Sequence, residues 1–135
     1  MGAEVSVCGP PTLLPPKVEK MGVKVFYDFE KAVQDQDVVM MLRVQHERFG
    51  QGQSPSKGEY SRFYGMNQRV LNLCQKNVLI MHPGPVNRGV ELATDIADSS
   101  HSVILDQVSN GVMMRMSILH LLAGGEPFSW KEEIQ

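Results

Sequence analysis

Two short polar stretches, each directly after an apolar run, hold the residues best suited to bind a small ligand. Arg43 and Gln45 follow the apolar residues 38–42. Arginine offers a rigid fork of hydrogen-bond donors that fits a carboxylate or a phosphate, and glutamine adds a neutral amide. Residues two apart in an extended chain point the same way, so both side chains can face one ligand. A solvated arginine in a loop is the alternative interpretation.

The second stretch is a loop, Pro83-Gly84-Pro85, that follows the apolar residues 78–81 and His82. Proline fixes φ and lacks an N–H, whereas glycine lets a ligand approach the backbone closely. Ligands of open parallel sheets bind outside the carboxyl ends of the strands, which makes this loop a candidate binding edge. A simple connection between strand and helix would look the same. For His82 we favour a structural role over a general acid, because the following proline restricts its geometry.

The elements that must position these stretches alternate along the chain. Strands are predicted at residues 3–8, 23–27, 38–42, 78–81 and 102–105, and helices at 17–21, 29–34, 60–64, 67–74, 90–97 and 107–123. This order is typical of a three-layer α/β/α fold with a mostly parallel, Rossmann-like sheet of about four to five strands. The continuous apolar runs at 38–42 and 78–81 indicate strands buried on both faces. Prolines after the first strand replace the glycine-rich dinucleotide fingerprint, which disfavours a nicotinamide enzyme.

Composition excludes several classes of function. The 135 residues suit a single domain, and 42% hydrophobic residues suffice for a core. A net charge of −2 argues against a nucleic-acid partner. We find no secretory signal and no apolar run long enough to cross a membrane. The two cysteines have neither metal-ligand nor disulfide-framework spacing, so the sequence fits a reducing cytoplasm.

Two further segments bear on function. Residues 49–58 are rich in glycine and polar residues, which predicts a long loop of the kind that often binds ligands. The last predicted helix is apolar in nearly every direction, so something beyond a small sheet must pack on it. Its methionines are more typical of interface packing than of a cofactor pocket.

Together these motifs resemble the aspartate carbamoyltransferase family. The matching stretches are residues 2–15, Met41-Leu42-Arg43-Val44-Gln45-His46-Glu47-Arg48, His82-Pro83-Gly84-Pro85-Val86-Asn87-Arg88-Gly89-Val90-Glu91 and residues 107–112. The second and third are highly specific. The resemblance runs over nearly the whole chain but covers only the carboxyl-terminal, aspartate-binding domain of such enzymes. We assign residues 1–125 to this domain and 126–135 to a carboxyl-terminal tail.

The resemblance implies a function. The family transfers a carbamoyl group from carbamoyl phosphate to L-aspartate, the committed step of pyrimidine biosynthesis, and needs no metal or redox cofactor. It maps L-aspartate binding onto Arg43 with Gln45 beside it, and carbamoyl phosphate binding onto Gly84 and Pro85 with Pro83 adjoining. It also makes residues 47–61 a mobile loop and predicts a homotrimer of the complete enzyme.

The sequence departs from the family in one respect. The family's Ser-Thr-Arg-Thr-Arg phosphate cradle, its carbonyl-polarising histidine and a second aspartate-binding arginine belong to the amino-terminal half and have no counterpart here. We therefore assign no catalytic residue to this chain and expect it to be inactive alone. Two alternatives remain: an ornithine carbamoyltransferase-like half, although that family usually has Cys-Leu-Pro after the loop's histidine, and a non-catalytic α/β ligand-binding or interaction domain.

Overall fold

The computed structural model describes residues 2–45 and 55–126. Its strands are β1 (Ser6–Cys8), β2 (Lys24–Phe26), β3 (Val38–Met40) and β4 (Leu79–Met81). Its α-helices are α1 (Phe29–Ala32), α2 (Lys57–Tyr64), α3 (Gln68–Leu71), α4 (Thr94–Ala97) and α5 (Ile104–Leu122), and a 3₁₀ helix spans Val18–Met21. Helices and strands alternate as the α/β prediction requires.

The strands pair in parallel but form two sheets. β1 pairs with β2, with Val7 opposite Val25, and β3 pairs with β4, with Val39 opposite Ile80. The parallel α/β class is confirmed, whereas the described residues hold two two-stranded sheets in place of one continuous sheet. The strand predicted at residues 102–105 is reduced to a single parallel bridge between Ile80 and Ser102, because the chain already enters α5 at Ile104.

The prediction that both apolar strands are buried on two faces is wrong for this chain. Val39 and Ile80 point into the core and are 8% and 0% exposed. Val38, Met40 and Leu79 lie on the opposite face and are 42–49% exposed. Side chains alternate across a strand, so one face of the β3–β4 sheet is covered and the other is open.

The core is built around the covered face of this sheet. It joins residues of β3 and β4 to apolar side chains of the helices and of the segment after α2. Its fully buried members include Val33, Met66, Val78, Ile80, Leu92 and Ile96.

Side-chain caps define where the short helices begin. Asp28 precedes the helix predicted at residues 29–34 and is a typical N-cap residue, and its carboxylate accepts from the Lys31 N–H at the start of α1. Ser56 and Glu59 form a reciprocal capping box that starts α2 three residues before its predicted start. Asn67 caps α3. The predicted loop at 49–58 and the predicted mobile loop at 47–61 lie largely outside the described residues.

The helix predicted at residues 90–97 begins only at Thr94. Gly89 has a positive φ of 81°, and Leu92 forms bridges with Met66 and Arg88. Glu91, which the prediction places in the first turn of that helix, lies before the helix and is completely buried. The backbone before Thr94 is therefore held by pairing and not by helical hydrogen bonds.

Helix α5 agrees with its prediction and is one turn longer at its start. Large apolar side chains along it are exposed, by fractions that range from 46% at Val108 to 83% at Leu105. This is the uncovered surface that its all-round apolar sequence indicated.

Candidate functional site

The structure brings both predicted stretches to one edge of the β3–β4 sheet. Met40 and Met81 are opposite each other where the two parallel strands end. Arg43 and Gln45 follow β3 and are half-buried, and Pro83, Gly84 and Pro85 follow β4 with Gly84 half-buried between two exposed prolines. The list of predicted site residues therefore converges on the carboxyl ends of neighbouring strands.

A hydrogen bond ties the two loops together. The side-chain amide of Asn87 donates to the backbone carbonyl of Val44 at 3.3 Å. Val44 lies between the two predicted aspartate-binding residues, and Asn87 lies two residues after Pro85. The distance between the two halves of the candidate site is thus fixed by a contact within the domain. The sequence places Asn87 in the loop after Pro85 but carries no signal for this contact.

His82 anchors the loop from the buried side. It is 0% exposed, its backbone N–H donates to the Gln107 side-chain oxygen at 2.9 Å, and its Nδ1 accepts from the Gly84 N–H at 2.8 Å. Because Nδ1 accepts, Nε2 must carry the proton, and it lies 3.3 Å from Glu91 Oε1. Both ring nitrogens are engaged, which supports the structural role over the general acid.

Glu91 completes this buried network. Its Oε1 accepts from the Asn87 backbone N–H at 2.6 Å as well as from the His82 ring. Its other oxygen, Oε2, is buried and has no hydrogen-bond partner among the described residues. One carboxylate therefore holds both ends of the segment from His82 to Asn87. A charged residue in the first turn of a predicted helix gave no sequence signal for such burial.

Gly84 is the conformationally demanding residue of the loop. Its φ is 71°, a value that side chains rarely adopt, and a Cβ built there would meet no atom within 4 Å. The peptide bond between Gly84 and Pro85 is cis. The space beside Gly84 is open, which leaves its backbone accessible to a ligand.

Arg88, in the same loop, pairs with an acidic side chain of the domain. Its guanidinium contacts the Asp98 carboxylate through two hydrogen bonds of 2.7 and 2.8 Å. This pairing holds the pKa of Asp98 below its usual value and raises that of Arg88. The sequence leaves open whether Arg88 meets an anion, Glu91 or only water, and in the structure its partner is the carboxylate of Asp98.

Residues 2–45 and 55–126 contain no cluster of three or more His, Cys, Asp or Glu side chains arranged to hold a metal ion. Over the same ranges, none of the helices combines the length and apolar character that a membrane span requires.

The sequence of this chain matches known proteins along nearly all of its length. Residues 1–122 match the family model described as aspartate/ornithine carbamoyltransferase, Asp/Orn binding domain. The chain is 56% identical over 127 residues to the aspartate carbamoyltransferase catalytic subunit of Geotalea daltonii, covering 93% of this chain and 41% of that protein. It is 54% identical over 125 residues to the subunit of the same name from Cytophaga hutchinsonii, again covering 93% and 41%. It thus spans about two fifths of the length of these curated relatives.

Solved structures of carbamoyltransferases have a similar fold. The ornithine carbamoyltransferase from Pyrococcus furiosus superposes with a TM-score of 0.73 and 26% identity, over 93% of this chain and 44% of its own. The aspartate transcarbamoylase from Trypanosoma cruzi, solved with carbamoyl aspartate and phosphate, gives 0.68 and 24%, over 85% and 38%, and this likeness concerns the fold alone. The family model, the identity to the relatives and the fold point to one conclusion: this chain belongs to the aspartate/ornithine carbamoyltransferase family and carries its Asp/Orn-binding domain.

Proposed function

We propose that this chain is the aspartate-binding part of an aspartate carbamoyltransferase. The complete enzyme transfers the carbamoyl group of carbamoyl phosphate to L-aspartate and releases N-carbamoyl-L-aspartate and phosphate, a step of cytoplasmic pyrimidine biosynthesis. The binding domain takes residues 1–125, and residues 126–135 form a tail. The amino-terminal half, supplied by another part of the enzyme, provides the phosphate cradle, and three complete catalytic units form a trimer.

One observation carries the proposal. Arg43 and Gln45 lie at the same sheet edge as Gly84, and the hydrogen bond from Asn87 to Val44 holds the two loops together. An amino-acid site and a carbamoyl site must be neighbours for the amine to reach the carbonyl carbon. Effective molarity from such positioning lowers a bimolecular barrier by several kcal/mol.

Each residue has a definite task in this scheme. Arg43 binds a carboxylate of aspartate, and Gln45 adds an amide contact beside it. The backbone carbonyls of Pro83 and Gly84 accept from the carbamoyl NH₂ and from the attacking amine, and Pro85 completes the wall. The amine nitrogen then bonds to the carbonyl carbon, the bond from that carbon to the phosphate oxygen breaks, and the amine loses a proton.

Ornithine is the competing substrate, since the family includes both enzymes. Three curated relatives that are 52–56% identical to this chain are all named as the catalytic subunit of aspartate carbamoyltransferase. A second carboxylate on the substrate also calls for a cation at the amino-acid site, which Arg43 supplies. We therefore favour aspartate over ornithine and over a non-catalytic binding role.

The test is reconstitution. The 135-residue chain is mixed with the part of the Geotalea daltonii subunit that lies outside its match, and carbamoyl aspartate and citrulline formation are measured with aspartate or ornithine as acceptor. We expect no turnover from the chain alone and turnover with aspartate from the mixture. Turnover by the chain alone, or with ornithine only, would contradict the proposal.

Arg43→Ala isolates the aspartate contact. Truncating one member of a desolvated charge pair costs about 2–5 kcal/mol, roughly 30- to 5,000-fold in kcat/KM for aspartate. Affinity for carbamoyl phosphate should be preserved. Arg69→Ala is the matched control, because Arg69 is an exposed arginine that pairs with Glu30 within the domain. Equal kinetics of the Arg43 variant and the control would remove Arg43 from the site.

A further inference from the structure

Asn87 is held at two points by two different parts of the domain. Its backbone N–H donates to Oε1 of the buried Glu91 at 2.6 Å, and its side-chain amide donates to the Val44 carbonyl at 3.3 Å. A carbonyl oxygen can only accept, so the amide must present its nitrogen to Val44. The backbone contact fixes the position of Asn87, and the side-chain contact attaches a second loop to that fixed position.

The carbonyl that Asn87 contacts belongs to the amino-acid side of the candidate site, which is Arg43 with Gln45. Val44 lies between these two residues, and its carbonyl is part of the peptide group that leads to Gln45. The Val44 side chain is buried, with 7% exposure, so the segment is held by a packed side chain as well as by the carbonyl contact. The hydrogen bond from Asn87 therefore restricts the peptide group on which the position of Gln45 depends.

The carbamoyl side of the site, residues 83–85, is held by a separate set of contacts that ends at the backbone of Asn87. The Gly84 N–H donates to His82 Nδ1 at 2.8 Å, and His82 Nε2 lies 3.3 Å from Glu91 Oε1, which also binds the Asn87 N–H. His82 and Glu91 are both 0% exposed, and the low dielectric of such a site strengthens each hydrogen bond. Gly84 thus keeps its supports when the Asn87 side chain is removed.

Asn87 belongs to both sets of contacts, one through its backbone and one through its side chain. A substitution of the side chain removes the link to Val44 and keeps the N–H that Glu91 binds. Such a variant loosens the amino-acid side relative to the carbamoyl side without removing a residue from either. A displacement of about 1 Å between reacting groups can cost about 100-fold in rate.

We propose that Asn87 is a positioning residue of the transfer reaction, whose side-chain amide sets the distance between the amino-acid side and the carbamoyl side. The inference rests on the carbamoyl transfer proposed above. Asn87 acts through the Val44 carbonyl, and its effect falls on the acceptor because Arg43 and Gln45 bind the amino acid. Affinity for carbamoyl phosphate is spared, because Gly84 has its own supports.

Kinetics of Asn87 variants test the proposal in a single polypeptide in which this chain replaces the matching region of the Geotalea daltonii subunit, to which it is 56% identical. Asn87→Ala should raise KM for aspartate and lower kcat, with a loss of about 10- to 100-fold in kcat/KM, while KM for carbamoyl phosphate stays within about twofold. Asn87→Asp has nearly the same shape but no donor when ionised, so it should lose at least as much. Asn72→Ala is the matched control, because the exposed Asn72 contacts Gln68 of α3, and it should keep the parental kinetics.

Carbon-13 NMR of the 135-residue chain tests the contact itself and needs no substrate. The Val44 carbonyl resonance should move upfield in Asn87→Ala and in Asn87→Asp, because the carbonyl loses a polarising donor, and it should stay in place in Asn72→Ala. The same resonance position in all three variants would overturn the proposal. Urea unfolding of each variant gives its folded fraction, against which the kinetics are compared.

Two kinetic results would also overturn the positioning role. One is a kcat/KM for aspartate within twofold of the parent in both Asn87 variants. The other is a loss of kcat that only parallels a loss of folded protein, with both KM values unchanged, which would make the role of Asn87 structural.

The parent polypeptide tests the proposed function separately. Turnover of ornithine and not of aspartate would reject the substrate proposed above, and the Asn87 variants would then be compared with ornithine as acceptor. Turnover of neither acceptor would reject the enzymatic function and the positioning role together. An active parent with unaffected Asn87 variants would reject the positioning role alone.

Discussion

The Glu91→Ala variant should lose a large part of the domain's stability. Oε1 of Glu91 accepts from the Asn87 N–H at 2.6 Å and faces the His82 ring at 3.3 Å, and both His82 and Glu91 are 0% exposed. Alanine leaves the buried His82 Nε2–H and the half-buried Asn87 N–H without an acceptor, and each costs about 1–3 kcal/mol. The variant also removes Oε2, which has no partner in the described part of the chain, and that relief offsets some of the loss. We expect a net cost of about 2–4 kcal/mol, against the roughly 5–15 kcal/mol that stabilise a typical domain.

The assay is urea unfolding followed by far-ultraviolet circular dichroism, at one protein concentration for all variants. Glu91→Gln retains an oxygen at the Oε1 position, so it should cost less than about 1.5 kcal/mol. Glu19→Ala, at an exposed residue of the 3₁₀ helix, is the control and should stay within about 0.5 kcal/mol of the parent. An alanine variant that loses under about 1 kcal/mol, or that equals the glutamine variant, would refute the anchoring role of Glu91.

Four further predictions follow from individual positions. Gly65→Ala should lower the free energy of unfolding in urea by about 1–3 kcal/mol, because a Cβ would lie 2.8 Å from the Val90 carbonyl oxygen. Gly58→Ala, which adds a Cβ in open space within α2, should raise that free energy by about 0.5–1 kcal/mol. The reverse order of stability would contradict the packing. Gly84→Val should abolish turnover of the reconstituted enzyme and strain the loop, while Gly84→Asn, which tolerates a positive φ, should fold normally and still lose turnover; activity within twofold would leave the loop a connector. Burial raises the pKa of the Cys8 thiol from 9.0 to about 11, so iodoacetamide at pH 8 should alkylate it roughly 100-fold more slowly than an ordinary cysteine. The contribution of this thiol to the stability of the fold should fall as the pH rises from 9 to 11. Alkylation at the rate of an unfolded control would contradict this prediction. The exposed apolar side chains of α5 should bind a hydrophobic dye, with fluorescence that falls when the complementary half is added; no dye binding by the chain alone would show that this surface is already covered.

Much of the site could be predicted because its signals are local. An apolar run followed by Arg43 or by Pro83-Gly84-Pro85 places those residues at the end of a strand, and parallel pairing brings such ends together. The capping role of Asp28 is likewise encoded within three residues. Helix α5 follows from its long apolar pattern and the glycines after it.

The misses arise where the outcome depends on distant partners. Glu91 looks like a charge in the first turn of a helix, and its contacts with His82 and with the Asn87 N–H make burial favourable. The apolar sequence of β3 states what Val38 and Met40 require, but it carries no information on which segment covers them. The exposure of the Val38 and Met40 side chains is therefore set by the layer that packs on β3 and not by the sequence of β3 itself.

The uneven distribution of the core has a consequence for how this chain unfolds. Within the described residues the core begins at Phe29, and β1 and β2 contribute only Cys8, which packs partly against it. The β1–β2 unit should thus detach as a separate foldon at a lower free energy than the β3–β4 unit. Limited proteolysis should cut between residues 2 and 27 before it cuts within β3, β4 or α4. A denaturation curve fitted as one transition would then give too small an m-value, since it merges two openings into one broad slope.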